Sequence, residues 1–272
     1  LGNFNSNVAG IRSSENTSTL NVSTSTNIPS IGFVDFSGNI EIWAENRKFN
    51  NELMLFTIQN SFSNFHWKLG KFRKSWGYVD GALVLDVINP SETIISKKLP
   101  GMEFPSRWLT EVTLFNGKNT SEFFTSFRTD TIHSETAGSK ISGFEFGLKS
   151  SYDIEKGQIS LYLASLYPRT GVINIASGLS HSNCFKLVGF SVQKDLRNFM
   201  MNFDFAKKID LNRSTLNEFI TSNRIDGAAS LEYAPTPYEK WFFKLESSIW
   251  EDSLKPYYIS NSSVLVRDEN QK

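Results

Sequence analysis

Polar and apolar residues alternate along most of this chain with a period of two. From Val34 to Ala44, the residues Val34, Phe36, Ile40 and Ile42 fall on one side, and Asp35, Ser37, Asn39 and Glu41 on the other. That pattern predicts a strand with one wet face. Phe144, Phe146, Leu148 and Tyr152 oppose Glu145, Lys149 and Ser151, and after a turn-like Asp153 to Gly157 the next strand carries Ile159, Leu161, Leu163 and Tyr167. Together they read as a hairpin. A second pair sets Phe185 to Leu196 against Phe199, Met201, Phe203 and Phe205, joined at Asp195 to Asn198. A third sets Ile225, Ala229, Leu231 and Tyr233 against Trp241, Phe243, Leu245 and Ile249 across Pro235-Thr236-Pro237. Leu53 to Gln59, Asn64 to Arg73, Trp108 to Phe115 and Glu122 to Thr131 are further strands, and a weaker Ser/Thr/Asn-rich alternation runs from Gly2 to Asn27. Helical spacing competes almost nowhere. The expected fold is all-β, an antiparallel meander of roughly 10–12 or more strands.

Alternation alone does not say which face is dry. In a soluble sandwich the apolar set points into a core; in a membrane barrel it points to lipid and the polar set lines the lumen. Three features favour a transmembrane β-barrel of one domain over residues 1–272. Trp43, Trp67, Trp76, Tyr152, Tyr167, Tyr233, Trp241 and Trp250 lie near strand ends, where an interfacial girdle would hold them. Mid-strand charges of both signs, such as Asp35, Glu41, Lys149, Asp204 and Glu232, suit a polar lumen. Neighbouring hairpins without a Greek-key crossover suit a barrel better than a sandwich. Composition agrees: 23 Phe stand in a chain only 39% hydrophobic, which single apolar faces on amphipathic strands explain. No run of about eighteen apolar residues exists to form a spanning helix. The chain opens at Leu1 without a charged-then-apolar leader, so we expect a removed leader or a fragment, and the C-terminal Val264 to Lys272 lacks a closing aromatic.

One stretch breaks the rhythm. Residues 74–107, between the strand ending at Arg73 and the one starting near Trp108, are too long for a hairpin turn. Ala82 to Ile88 is apolar enough to need burial, bounded by Gly81 and Asn89-Pro90, so a short helix or turn tucked inside is expected. In a barrel the interior available is the lumen.

Leu69, Gly70, Lys71, Trp76, Gly77, Asp80, Asp86, Val87, Ile88, Asn89 and Pro90 form a Leu-Gly-(Lys/Arg)…Trp-Gly…Val-Ile-Asn-Pro segment. In this the chain resembles a set of Gram-negative outer-membrane β-barrels. Phe72 stands where that family has Gln, and Glu92 where it has Asp, while Pro100-Gly101-Met102-Glu103 is similar to its Pro-Gly-x-Glu step. The resemblance implies a porin-like channel or transporter in the bacterial outer membrane, passing small or hydrophobic solutes, with outer-membrane lipid and periplasmic or envelope transport proteins as partners. The inward segment would then narrow the lumen, with Arg73, Lys74, Asp80, Asp86, Asn89, Glu103 and Arg107 at the constriction, where low dielectric magnifies fixed charges. The alternative role for these charges is to pair with one another and pin the segment.

Charge and motif content bound the rest. Twenty-eight cationic and 28 acidic side chains give zero formal net charge, so no nucleic-acid partner is expected. One cysteine and three histidines give no basis for a metal site, and no cofactor is expected. Gly178-Leu179-Ser180-His181-Ser182 fails the nucleophile-elbow pattern at its last position, so Ser180-His181 reads as a polar turn and no enzymatic activity is expected. His66 reads as a strand residue, His133 as a loop residue and Cys184 as a bystander thiol. The alternative function is a soluble all-β carbohydrate-binding or adhesin module presenting Trp and Tyr to sugars.

Overall fold

The computed structural model describes residues 4–14, 17–28, 32–43, 48–80, 82–88, 107–132, 139–168, 172–173, 180–181, 183–214, 219–236 and 239–251. The chain is an all-β antiparallel meander. Its strands are β1 (Phe4–Ser14), β2 (Thr17–Ile28), β3 (Gly32–Trp43), β4 (Lys48–Ser61), β5 (Phe65–Phe72), β6 (Arg107–Asn116), β7 (Asn119–Ile132), β8 (Ser139–Ile154), β9 (Gly157–Leu166), β10 (Val172–Ile173), β11 (Ser180–His181), β12 (Phe185–Leu196), β13 (Phe199–Ser214), β14 (Phe219–Thr236) and β15 (Glu239–Trp250). Thirteen of them form one sheet in chain order, interrupted only by β10 and β11, which pair as a separate two-stranded ladder. That ladder is where Ser180-His181 sits, opposite Val172-Ile173. The weak alternation between Gly2 and Asn27 resolves into two strands, with a register shift between Ala9 and Ile11. Barrel closure is not present among the described residues, and β1 and β15 are the two edges of the sheet.

The strands explain their own pairing. Each presents apolar residues at every second position, so a one-residue slip would turn its whole apolar set to the other face. The register therefore holds the sets together. Ile159, Leu161 and Leu163 on β9 align with Val192, Phe190 and Val188 on β12, and these with Phe203, Phe205 and Lys207 on β13.

The two faces are inverted relative to a water-soluble protein. Phe144, Phe146, Leu148, Tyr152, Leu161, Leu163, Phe203, Phe243, Leu245 and Ile249 are exposed, Leu245 by 73%. The opposite face hides Lys74, Glu145, Asp204, Lys208 and Asp226, none more than 5% exposed. A soluble monomer rarely presents so large a contiguous apolar surface or buries so many charges. On β8 the exposed apolar row runs from Phe144 to Tyr152, about 26 Å along the strand at ~3.3 Å per residue.

Six hairpin connections at one rim are short: Phe62–Asn64, Gly117–Lys118, Glu155–Lys156, Arg197–Asn198, and residues 29–31 and 237–238. The longest connections, residues 73–106 and 167–184, leave from the opposite rim. Tyr152, Phe199, Tyr233 and Trp241 gather near the short-turn rim, with Phe199 stacked on Tyr233 at 4.6 Å between centroids. Trp67 on β5 lies toward the same rim, and Trp43, Tyr167 and Trp250 stand at strand ends of the opposite rim. Trp76 is buried on the concave side, 2% exposed, because it belongs to the irregular segment and not to a strand.

Candidate functional site

The irregular segment after β5 folds into the concave face, as its apolar content requires. Trp76, Val79, Ala82, Val84, Leu85 and Ile88 are each at most 5% exposed and supply much of the buried apolar cluster. Ala82 to Ile88 forms turns and irregular chain, not a helix.

The wall is built to receive it. Ser151, Ser160, Ser191 and Asp204 lie at one level on β8, β9, β12 and β13. One level further from the short-turn rim come Lys149, Tyr162, Gly189 and Ala206, and then Gly147, Ala164, Leu187 and Lys208. The small side chains in these rows leave the volume that Tyr78, Leu85 and Trp76 fill. At Gly147 a Cβ would stand 2.5 Å from the Trp76 ring and 2.4 Å from Phe124, closer than any real contact. Trp76 packs against Phe124 and Tyr162 with centroids 5.2 Å away in both cases, and its Nε1 donates to Glu122 Oε1 at 3.1 Å. Tyr78 OH meets Ser160 Oγ at 2.6 Å and contacts Gln158. The segment thus descends from the loop rim to within three residues of the Glu155–Lys156 turn.

An irregular backbone cannot satisfy its own amides and carbonyls, so charged wall residues do so. Asp204 accepts from Tyr78 N at 2.9 Å and from Val79 N at 3.0 Å. Gly77 makes this approach feasible: its φ is 91°, and a Cβ there would lie 2.5 Å from Asp204 Oδ2. Lys208 Nζ donates to the Leu83 carbonyl at 3.1 Å, Lys244 Nζ to the Asp80 carbonyl at 2.6 Å, and Glu246 accepts from Leu83 N at 3.3 Å. Arg107 donates to the Ile88 carbonyl at 2.5 Å. Strands β6 and β15 are seven places apart in the sheet, ~34 Å if it were flat. Reaching one short segment from both requires the sheet to curl around it.

Four of the sequence-selected charges take part in ion pairs. Lys74, 5% exposed, lies 2.7 Å from Glu111 and 2.6 Å from Glu122. Arg107 pairs with Glu145, which also accepts from Tyr167 N at 2.7 Å. Arg73 and Asp86 close the base of the segment at 3.5 Å. Asp80 is exposed. Asn89 and Glu103 lie outside the described residues, as do His133 and the Pro100-Gly101-Met102-Glu103 step. Sequence reasoning placed Lys149, Asp204 and Glu232 on the wet face but did not connect Asp204 to the segment, nor single out Glu111, Glu122, Glu145 or Lys208 as its partners. Those contacts depend on register between strands far apart in the chain. His66 is the strand residue expected, with Nδ1 2.8 Å from Ser61 Oγ, and Cys184 Sγ lies 2.9 Å from Ser165 Oγ.

No protein-family model matches the chain, and no curated protein matches it. Among solved structures it is similar to OmpT, an outer-membrane protein of Vibrio cholerae. The trimer form of in-vitro folded OmpT is 9% identical at a TM-score of 0.40, covering 92% of this chain and 89% of that one. A loop L8 deletion mutant of OmpT is 10% identical at 0.39, covering 91% and 94%. A second OmpT structure is 10% identical at 0.37, covering 92% and 85%. Likeness at this level is loose, and the reading of the site rests on its geometry alone.

Two substitutions test the seat. Asp204→Ala strands two buried N–H donors and is expected to cost about 2–4 kcal/mol, with new protease cleavage near Tyr78; an unchanged urea midpoint and digest would contradict the anchor. Gly147→Val is expected to eject Trp76 and red-shift its fluorescence, whereas Ser150→Val on the outward face leaves the emission unchanged.

Proposed function

We propose that the chain is an outer-membrane barrel that passes small solutes along its interior, with residues 73–88 as an inward element that narrows the lumen. The inversion of the two faces carries this reading: an apolar band turned outward and charged residues turned inward is the arrangement that lipid outside and water inside demand. The outward row on β8, tilted by the usual barrel angle, spans most of an apolar band about 25 Å tall. Short turns face the periplasm in such barrels and longer loops the exterior, which would set the inward segment entering from outside. The Leu69 to Pro90 motif adds to the reading, because six of the residues that carry the family resemblance, Trp76, Gly77, Asp80, Asp86, Val87 and Ile88, lie in the segment. Lipid is the first partner this assigns, and the short-turn rim is the surface open to periplasmic or envelope proteins. A soluble sugar-binding module would turn its apolar faces inward, and Trp76, 2% exposed, is not placed to meet a sugar.

The first measurement is physical. The folded protein is expected to partition into detergent and to migrate differently on a gel before and after heating; a monomer soluble without detergent would overturn the membrane reading. Phe203→Lys, in the middle of the outward band, is expected to lower stability in lipid vesicles by about 2–4 kcal/mol, while a loss near zero would mean that Phe203 does not face lipid.

The second measurement is functional. In planar bilayers Arg107→Ala is expected to raise conductance, because Glu145 loses its guanidinium and the returning stem of the segment loses the Ile88 anchor; the buried pair makes a stability cost of about 3–5 kcal/mol expected as well. Asp86→Ala breaks a half-exposed pair at 3.5 Å and is expected to change stability by less than ~1 kcal/mol. If neither variant alters conductance or ion preference, the segment does not narrow the path.

A further inference from the structure

The outward face changes character along one line. On β13 the outward residues run Phe199, Met201, Phe203 and Phe205, and then comes Lys207. On β14 they run Tyr233, Leu231, Ala229, Gly227 and Ile225, and then comes Asn223; on β15 Ile249 is followed by Glu251. Leu163, Val188, Lys207, Ile225 and Ile249 share one level across β9, β12, β13, β14 and β15, and Ser165 and Lys186 share the next toward the loop rim. From Tyr233 to Ile225 the chain covers about 26 Å at ~3.3 Å per residue. The line of Lys186, Lys207, Asn223 and Glu251 therefore falls where hydrocarbon gives way to head groups.

Side chains on this line are tied together. Lys207 Nζ lies 2.6 Å from Glu251 Oε1, Asn223 Nδ2 donates to Glu251 Oε2 at 2.9 Å, and Glu251 N donates to the Asn223 carbonyl at 2.9 Å. Glu251 thereby holds the Lys207 ammonium at the boundary. Lys186 is exposed and stands diagonally across from Lys207, opposite Ile209, with Ser165 as its direct neighbour on β9. Diagonal neighbours of this kind lie about 7–8 Å apart, within reach of two long side chains that converge on one phosphate. Lys194, the outward lysine at the other end of β12, is instead turned onto the Glu155 carbonyl. Below Lys207 the outward relief has a hollow. Gly227, where a Cβ would meet nothing within 4 Å, and Ala229 lie between Phe203 and Phe205 on β13 and Leu245 and Ser247 on β15. Phe190 packs against Phe203 and Phe205 at 5.6 and 5.4 Å between centroids and braces that wall.

Resting on the outer-membrane reading above, we propose that Lys186 and Lys207 hold the phosphate of one outer-leaflet lipid at a fixed place on the outside of the barrel, with an acyl chain against the hollow at Gly227. The two ammonium groups outnumber the Glu251 carboxylate between them, which leaves positive charge at the level where a lipid phosphate stands. Hydrogen bonds from ammonium to phosphate are charge-assisted, and the low dielectric at the edge of the hydrocarbon strengthens them. The lysine pair carries the assignment. The hollow favours a ligand that brings hydrocarbon along with its phosphate, which separates a lipid from free phosphate.

The test uses the full chain folded in a neutral detergent. The probes are diphosphoryl lipid A, the same lipid stripped of its phosphates, and inorganic phosphate, and native mass spectrometry counts what stays bound. Each variant is first shown to be heat-modifiable on a gel. One diphosphoryl lipid A per chain is expected to be retained, the phosphate-free lipid to bind at least about tenfold more weakly, and inorganic phosphate in excess not to displace it. Lys186→Gln combined with Lys207→Gln is expected to weaken retention at least about tenfold, Gly227→Leu to weaken it severalfold, and Lys194→Gln to leave it unchanged. Equal retention of the two lipids, or full retention by the double variant, would overturn the site while leaving the membrane reading intact. Displacement by inorganic phosphate would make it a site for the free ion and overturn the lipid. Association of copies that Gly227→Leu abolishes and the lysine changes do not would make the hollow an interface between copies instead. A monomer soluble without detergent would end the membrane reading and this one with it.

Discussion

An irregular stretch of chain that enters an enclosed interior carries its backbone amides and carbonyls with it, and each needs a partner there. This constraint organises the inner face of the sheet. Asp204 satisfies two amides, Lys208, Lys244 and Arg107 a carbonyl each, and Glu246 an amide. The wall recognises the segment largely through its main chain. Side-chain charges that would be costly to bury alone, such as Lys74 and Glu145, are held in pairs at its stems.

The apolar cluster follows from the same arrangement. A sheet whose apolar face is turned outward has no conventional core, and the segment supplies one with Trp76, Val79, Ala82, Val84, Leu85 and Ile88. The strands answer with small residues, Gly147, Ala164, Gly189 and Ala206, at the levels where these side chains project. Two large residues of the inward face, Phe124 and Tyr162, clasp Trp76. Packing and polar satisfaction thus meet at the same few strands.

Much of this was readable from sequence, for physical reasons that differ by element. Strands β8, β9, β12, β13 and β15 announce themselves because Phe, Leu and Ile alternate with charged residues; β1 and β2, built mainly of Ser, Thr and Asn, carry a weak period and read as one indistinct stretch. The burial of Ala82 to Ile88 follows from its hydropathy. Its partners do not: Asp204 is 126 residues from Tyr78, and only the cumulative register of the intervening strands brings it beneath Gly77. Trp76 misled for a related reason, since proximity to a strand end in sequence does not distinguish a girdle residue from one that turns inward with the following chain.

The strand count has a geometric corollary. Neighbours in a strictly antiparallel ring alternate in direction, so such a ring must contain an even number of members. Thirteen strands in unbroken meander order make β1 and β15 point the same way, each running from the short-turn rim to the loop rim. A direct seam between them would be the single parallel junction in the sheet, with slanted rather than perpendicular hydrogen bonds; an antiparallel seam needs an odd number of strands between them.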